Sequence, residues 1–253
     1  MTGRRWLRRL GRFLLWTACL WFVGTTLFVL ALRWINPTTS AVMIEDRITA
    51  SIERDARFKY RYWWTSLANI SPHMRVAVIA SEDQKFPYHW GFDFDQIQTA
   101  IDEADDGRRQ RGASTISQQV AKNLFLWQGH NFLRKGIEAY FTLLIEWLWP
   151  KERILEVYLN IAEFGRGVYG VGAASQFYYH MPAARLNRYQ AALFAAVLPS
   201  PRRFRIEAPS NYVLRRRDFI ADQMEGLGGP SYLLELRNPH PETLTQIKKR
   251  RLN

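Results

Sequence analysis

Phe13 to Leu32, FLLWTACLWFVGTTLFVLAL, is a run of twenty residues without a charge. At about 1.5 Å of rise per helical residue, its length matches a hydrocarbon core of roughly 30 Å. Arg4, Arg5, Arg8, Arg9 and Arg12 precede it, and positive flanks stay on the cytoplasmic side of a membrane. The competing reading is a cleaved signal peptide, with an apolar region of about 7–15 residues and a small-x-small site after it. Here Arg33-Trp34 follows instead. The sequence therefore predicts an uncleaved anchor. Residues 1–12 form a basic cytoplasmic N-terminus, 13–33 the transmembrane helix, 34–65 a connecting segment and 66–253 one external domain.

The chain has 253 residues and a formal charge of +12. Residues 1–33 hold six arginines and no acid, so the rest carries 29 Lys and Arg against 23 Asp and Glu. That remainder is basic but not extreme. Hydrophobic residues make up 47% and aromatics 14%, which excludes a disordered chain. The one cysteine, Cys19, lies inside the apolar run, leaving no disulfide framework and no cysteine-based metal site. Arg215–Arg217 and Lys248–Arg251 invite a scaffold that binds anionic lipid, but charge runs are usually solvated faces. The topology also puts them out of reach of nucleic acid.

Past Asn36-Pro37, the segment FKYRYWW (58–64) alternates aromatics with Lys59 and Arg61. It reads either as a strand packed on the core or as an interfacial aromatic belt. From residue 71 the periodicity is helical. Ile116, Val120 and Leu124 recur at four-residue steps within 115–127. Leu133, Ile137, Tyr140, Phe141, Leu144 and Leu148 form a stripe within 132–149, closed by Pro150. Similar patterns mark 153–162 and 189–198. The charged, glycine-containing segment DEADDGRRQRG (102–112) reads as a mobile loop. The predicted class is mainly α.

Four constellations could carry chemistry. In SEDQKFPYHWGFD (81–93), Pro87 ends any helix near Phe86, so Glu82 and Asp83 fall in its last turn. The macrodipole disfavours carboxylates there, which raises a carboxylate pKa toward the range of a general base. The bland reading is an exposed acidic pair. In RGASTISQQVAKN (111–123), Thr115 and Gln118 fit a capping box, while Gln119, Lys122 and Asn123 are not needed for a cap. Gln118 and Lys122 share a face, and a cation with amides near a helix N-terminus suits a phosphate-like anion.

In NFLRKGIEAY (131–140), Arg134 and Glu138 are spaced i,i+4 and read either as a surface salt bridge or as the rim of a cleft. Glu138 would then pair with Glu82, as glycosyl chemistry commonly requires. The fourth constellation, 151–179, contains Gly165, Gly167 and Gly170 in a G-x-G-x-x-G pattern. It lacks the preceding strand and the following acid of a dinucleotide site, and is expected to be a tight helix-to-helix turn.

Taken together and in order, these stretches resemble the family-51 glycosyltransferase domain. This is the peptidoglycan glycosyltransferase of class A penicillin-binding proteins and of stand-alone membrane-anchored enzymes. The pattern ED-x-x-F-x-x-H-x-G matches Glu82, Asp83, Phe86, His89 and Gly91. G-x-S-T-I-x-Q-Q-x-x-K-N matches Gly112, Ser114, Thr115, Ile116, Gln118, Gln119, Lys122 and Asn123, and R-K-x-x-E matches Arg134, Lys135 and Glu138. K-x-x-I-L-E-x-Y-L-N matches Lys151, Ile154, Leu155, Glu156, Tyr158, Leu159 and Asn160, followed by Arg166, Gly167 and Gly170 of the last motif. The resemblance covers about 66–225. With little sequence beyond it, the chain resembles the monofunctional form.

The resemblance implies a lysozyme-like helical fold that polymerises lipid II, a disaccharide-pentapeptide on undecaprenyl pyrophosphate, at the outer face of the cytoplasmic (inner) membrane. It makes Glu82 the base for the acceptor hydroxyl, with Asp83 and His89 supporting it. Lys122, Arg134 and Lys135 would stabilise the pyrophosphate, and Glu138 would orient them or help hold a divalent cation on it. Phe86, Ser114, Thr115, Gln118, Gln119, Asn123 and Arg166 complete the expected substrate-binding set. No cofactor is required by the resemblance, though it leaves room for Mg or Mn at the pyrophosphate. It also leaves room for partners among other cell-wall synthesis or division proteins, and none for nucleic acid. The alternative activity is a membrane-bound lytic enzyme with a lysozyme-like core.

Overall fold

The computed structural model describes residues 2–105, 114–129 and 131–252. The apolar run belongs to a helix, α1 (Thr2–Ala31), of which Arg8–Ala31 is long and apolar enough to cross a membrane. The helix begins within the basic segment and stops short of Leu32 and Arg33, which form a turn. α2 (Ala41–Ile52) follows, capped by Ser40. The sequence predicts only a connection here, because its short apolar pattern is broken by Glu45, Asp46 and Arg47.

Then come α3 (Pro72–Glu82), α4 (Phe94–Asp105), α5 (Ile116–Phe125), α6 (Phe132–Leu148) and α7 (Lys151–Ile161). A small hairpin, β1 (Glu163–Gly165) and β2 (Val168–Tyr169), separates these from α8 (Val171–Tyr179). α9 (Arg188–Val197), α10 (Asn211–Gly226) and α11 (Pro241–Leu252) complete the chain. Helices dominate, as the periodicity predicts.

α3 is the central element. Ser71 caps it, Pro72 starts it, and Val76, Ala77, Val78 and Ile79 are wholly buried. It packs against α9 and α10 on one side, while α5, α6 and α7 pack on one another. Burying each large aliphatic side chain contributes about 1.5–3 kcal/mol, so the axis of α3 is held firmly. The helix that ends in Glu82 is thus firmly fixed in the domain.

The glycine pattern forms the hairpin and not a helix-to-helix turn. Two strands of three and two residues are too short for alternation to show in sequence. The expectation of close backbone approach holds at Gly167 and Gly170, both with positive φ. A Cβ there would stand 2.7 Å from the Lys59 carbonyl oxygen and 2.6 Å from that of Asn160. Arg61 bonds β2 through Arg61 N to Gly167 O (2.8 Å) and Tyr169 N to Arg61 O (3.0 Å). Tyr60, Tyr62 and Trp64 pack on the core, which favours the strand-like reading of 58–64. Asn160 clamps the next residues by accepting from Thr65 N (2.7 Å) and donating to Thr65 O (2.9 Å).

The segment read as a loop over 102–112 differs at its start. Residues 102–105 are the last turn of α4, where Gln98 Nε2 donates to Asp102 Oδ1 at 2.9 Å. The remainder, with Gly112, lies outside the described residues.

α1 docks on the domain. Tyr140 hydroxyl meets Thr25 Oγ1 at 2.7 Å, and Trp149 Nε1 donates to Val29 O at 2.8 Å. The Arg153 guanidinium donates to Leu32 O (2.9 Å) and Ile35 O (2.9 Å), satisfying carbonyls just beyond the helix end.

Candidate active site

Glu82 is the last residue of α3 and Asp83 its C-cap. Their environments then diverge. Both Asp83 oxygens lie 3.0 Å from His89 Nε2, and Oδ2 accepts the backbone N–H of Ile116 at 3.1 Å. Asp83 therefore sits at the N-terminus of α5, where a negative charge is favoured. Glu82 Oε2 accepts from Gln119 Nε2 at 2.9 Å, whereas Oε1 is closed to solvent and has no hydrogen-bond partner among the described residues.

Burial raises the pKa of Glu82 above the usual carboxylate value. The Gln119 hydrogen bond, Arg216 and Lys122 pull it down, and Asp83 pushes it up. A buried carboxylate with one oxygen unpartnered has the makings of a general base.

α5 divides the second motif between two jobs. Thr115 Oγ1 accepts from Gln118 N (3.2 Å), Gln118 Oε1 accepts from Thr115 N (3.0 Å), and Thr115 Oγ1 donates to Gly91 O (2.6 Å). Both side chains are buried in this capping box. The structure thus places Thr115 and Gln118 in the frame of the site and not on its wall. Ser114 is exposed just before the cap.

Gln119, Lys122 and Asn123 do line a cavity of about 480 Å³, together with Arg134, Tyr158 and Arg202. Glu82 reaches this cavity through Gln119 and is not itself among the lining residues.

Asn131 caps α6 by accepting from Arg134 N at 2.6 Å. Glu138 is buried, with Arg134 Nη1 at 3.0 Å on Oε2 and Lys135 Nζ at 2.5 Å on Oε1. This is no surface salt bridge. Arg134 is buried as well, and its Nε has no partner among the described residues. Lys122 has a lowered pKa, chiefly from burial; Glu138 opposes the shift, and Arg134 and Lys135 add to it. Cations crowded and desolvated in this way favour an anion between them.

Both oxygens of Glu138 face cations, and among the described residues no three His, Cys, Asp or Glu side chains converge as ligands. The described residues thus form no protein-only ligand cage for a divalent cation.

Phe86 and His89 are positioned from behind. Lys151 Nζ donates to His89 O (2.6 Å) and Glu146 Oε1 (2.8 Å), and lies 4.6 Å from the Phe86 ring centre. Phe86 is fully buried, so its part is to hold the loop. Arg166 pairs with Asp55 and does not line the cavity. Arg202, in turn, bonds Asp46 (2.5 Å) and Glu163 (3.0 Å) at the cavity edge.

Sequence reasoning assigned no role to Tyr158, Lys151 or Glu146. The first two stand inside a recognised motif, which was the available signal. Glu146 carried none, because its partners Ser117 and Lys151 are found only in space.

Comparison with known proteins gives the family. A transglycosylase family profile matches residues 49–225, beginning inside α2. A biosynthetic peptidoglycan transglycosylase of Pseudomonas entomophila is 50% identical over 237 residues, covering 91% of this chain and 95% of that protein. Its counterpart in Pseudomonas syringae pv. tomato is 49% identical over 234 residues, covering 92% and 96%. With most of its length matched on both counts, the chain belongs to the transglycosylase family.

Proposed function

We propose that this protein is a peptidoglycan glycosyltransferase that polymerises lipid II into glycan strands, releasing undecaprenyl diphosphate. The observation that carries the reading is Glu82: its Oε1 is closed to solvent and unpartnered among the described residues, and its Oε2 is linked by Gln119 to a cavity walled by Lys122 and Arg134. Glu82 accepts the proton of the acceptor's 4-hydroxyl as that oxygen attacks the donor's anomeric carbon. The bond from that carbon to the pyrophosphate oxygen breaks on the opposite face, so a single displacement inverts the centre and gives a β-1,4 link. Lys122 and Arg134 stabilise the negative charge that grows on the leaving pyrophosphate. Glu138 holds Arg134 and Lys135 in place, and Asp83 fixes the loop through His89.

α1 fits this chemistry as an anchor in the cytoplasmic membrane, with residues 1–12 inside and the domain on the outer face. Substrate and enzyme then share one surface, which raises their effective concentration. A lytic enzyme has no use for the desolvated cation pair, so glycan synthesis is the reading supported.

The test is turnover of labelled lipid II by the purified full-length protein in detergent. Long glycan strands are expected from wild type and none from Glu82→Gln. Soluble fragments released from intact peptidoglycan, with no lipid II consumed, would overturn the assignment.

A further inference from the structure

The proposed base has one hydrogen-bond partner, and that partner has another. Gln119 Nε2 donates to Glu82 Oε2 at 2.9 Å, and Tyr158 hydroxyl donates to Gln119 Oε1 at 3.2 Å. The polarity of this chain is fixed by chemistry. A carboxylate only accepts, so Gln119 must turn its NH₂ to Glu82 and its oxygen to Tyr158. That oxygen needs a donor, and the tyrosine supplies one. Tyr158 is fully buried, and its pKa is pushed well up by burial and by the nearby Glu82 and Asp83, so it keeps its proton. Tyr158 and Gln119 both line the cavity, on α7 and α5.

We propose that Tyr158 is a positioning residue for the base: it locks the amide of Gln119, which occupies Glu82 Oε2 and leaves Oε1 as the single oxygen free for the acceptor hydroxyl. This inference rests on the glycosyltransferase reading, with Glu82 as base. Without the phenol, the amide turns freely, the carboxylate rotates, and the unpartnered oxygen loses its fixed place.

Other charged groups facing Glu82 are Arg216 from α10, Lys122 from α5 and the adjacent Asp83. None of them is altered by removing one hydroxyl from α7. The Gln119 hydrogen bond lowers the pKa of Glu82, so losing it lets that pKa rise further. The acid limb of the rate profile then moves to higher pH.

The experiment compares wild type, Tyr158→Phe, Gln119→Ala and the double variant, all full-length in detergent, with lipid II as substrate. Tyr158→Phe keeps the ring and is expected to retain wild-type Tm and KM. Its kcat should fall roughly 10- to 100-fold, the scale of a slightly misplaced catalytic group. Its acid limb should shift upward, and the double variant should lose little beyond Gln119→Ala alone. If Tyr158→Phe does not fold, Gln119→Ala must show the same upward shift.

Unchanged kcat and acid limb in Tyr158→Phe would overturn the inference, as would a raised KM alone, which marks a mere substrate wall, or fully additive losses. An active Glu82→Gln removes the base assignment and this inference together. An inactive Glu82→Gln beside an unaffected Tyr158→Phe removes only the inference.

Discussion

Asp83 Oδ2 lies 3.1 Å from the backbone nitrogen of Ile116, joining the C-terminal end of α3 to the N-terminal end of α5. Two neighbouring carboxylates are thereby sorted. Asp83 is held by a helix N-terminus and His89, while half-buried Glu82 is left with one side-chain donor, Gln119, among the described residues. The same junction sets the distance between the base and the cavity, because Gln119 and Lys122 ride on α5.

Asp83→Ala should therefore act on structure as much as on activity. It removes the acceptor for Ile116 N and for His89, which costs about 1–3 kcal/mol for each buried group left unsatisfied. Thermal denaturation should show a lowered Tm with activity largely lost. His89→Ala combined with it should cost less than the sum of the two, since both break one contact.

Glu82→Gln should abolish turnover and yet stabilise the fold at neutral pH. The folded-state pKa of Glu82 is raised, so its contribution is fully present below the unfolded value and is lost as pH rises through the folded one. Wild type should thus lose stability over that window, and the glutamine variant should not. The Tm gap between them should close when the buffer is taken below the ordinary glutamate pKa.

Lys122→Met and Arg134→Met should both lower kcat, by about 10²–10³-fold if each stabilises the leaving pyrophosphate. Their stabilities should differ. Arg134→Met leaves the buried Glu138 with only Lys135, and breaking a buried pair costs about 3–5 kcal/mol. Lys122 has no ion pair within 4 Å among those described, so Lys122→Met should leave Tm near wild type. Kinetics and melting curves on the two variants separate the roles.

Arg153→Ala should free the anchor helix from the domain. It deletes donors to Leu32 O and Ile35 O and the 2.6 Å pair with Glu156. The expected cost is about 1.5–3 kcal/mol, the range for hydrogen bonds to charged groups. Hydrogen exchange should rise at residues 30–36, while the lipid II KM in detergent stays close to wild type.

Much of this molecule could be read before any coordinate. The long apolar helix α1 followed from the length of its uncharged run, α5, α6 and α7 from apolar residues at three- and four-residue steps, and α9 from an Ala-rich stretch closed by Pro199 and Pro201. The end of α3 near Phe86 followed from Pro87, and the Thr115–Gln118 cap from its spacing. Each of these is a local effect, decided by residues within a turn or two of one another. α2 was missed because its pattern is short and interrupted, and the hairpin because five strand residues carry no period.

Neighbours in sequence could not be told apart by sequence. Gln118 and Gln119 are adjacent amides, yet one is spent on a cap and the other faces the base. Glu82 and Asp83 are adjacent carboxylates, yet only one ends at a helix N-terminus. Local spacing determined which segments are helical and which residue types the site contains. The tertiary structure alone decided that Glu82 Oε1 has no partner among the described residues, because that depends on how α3, α5, α7 and α10 close around it and exclude water.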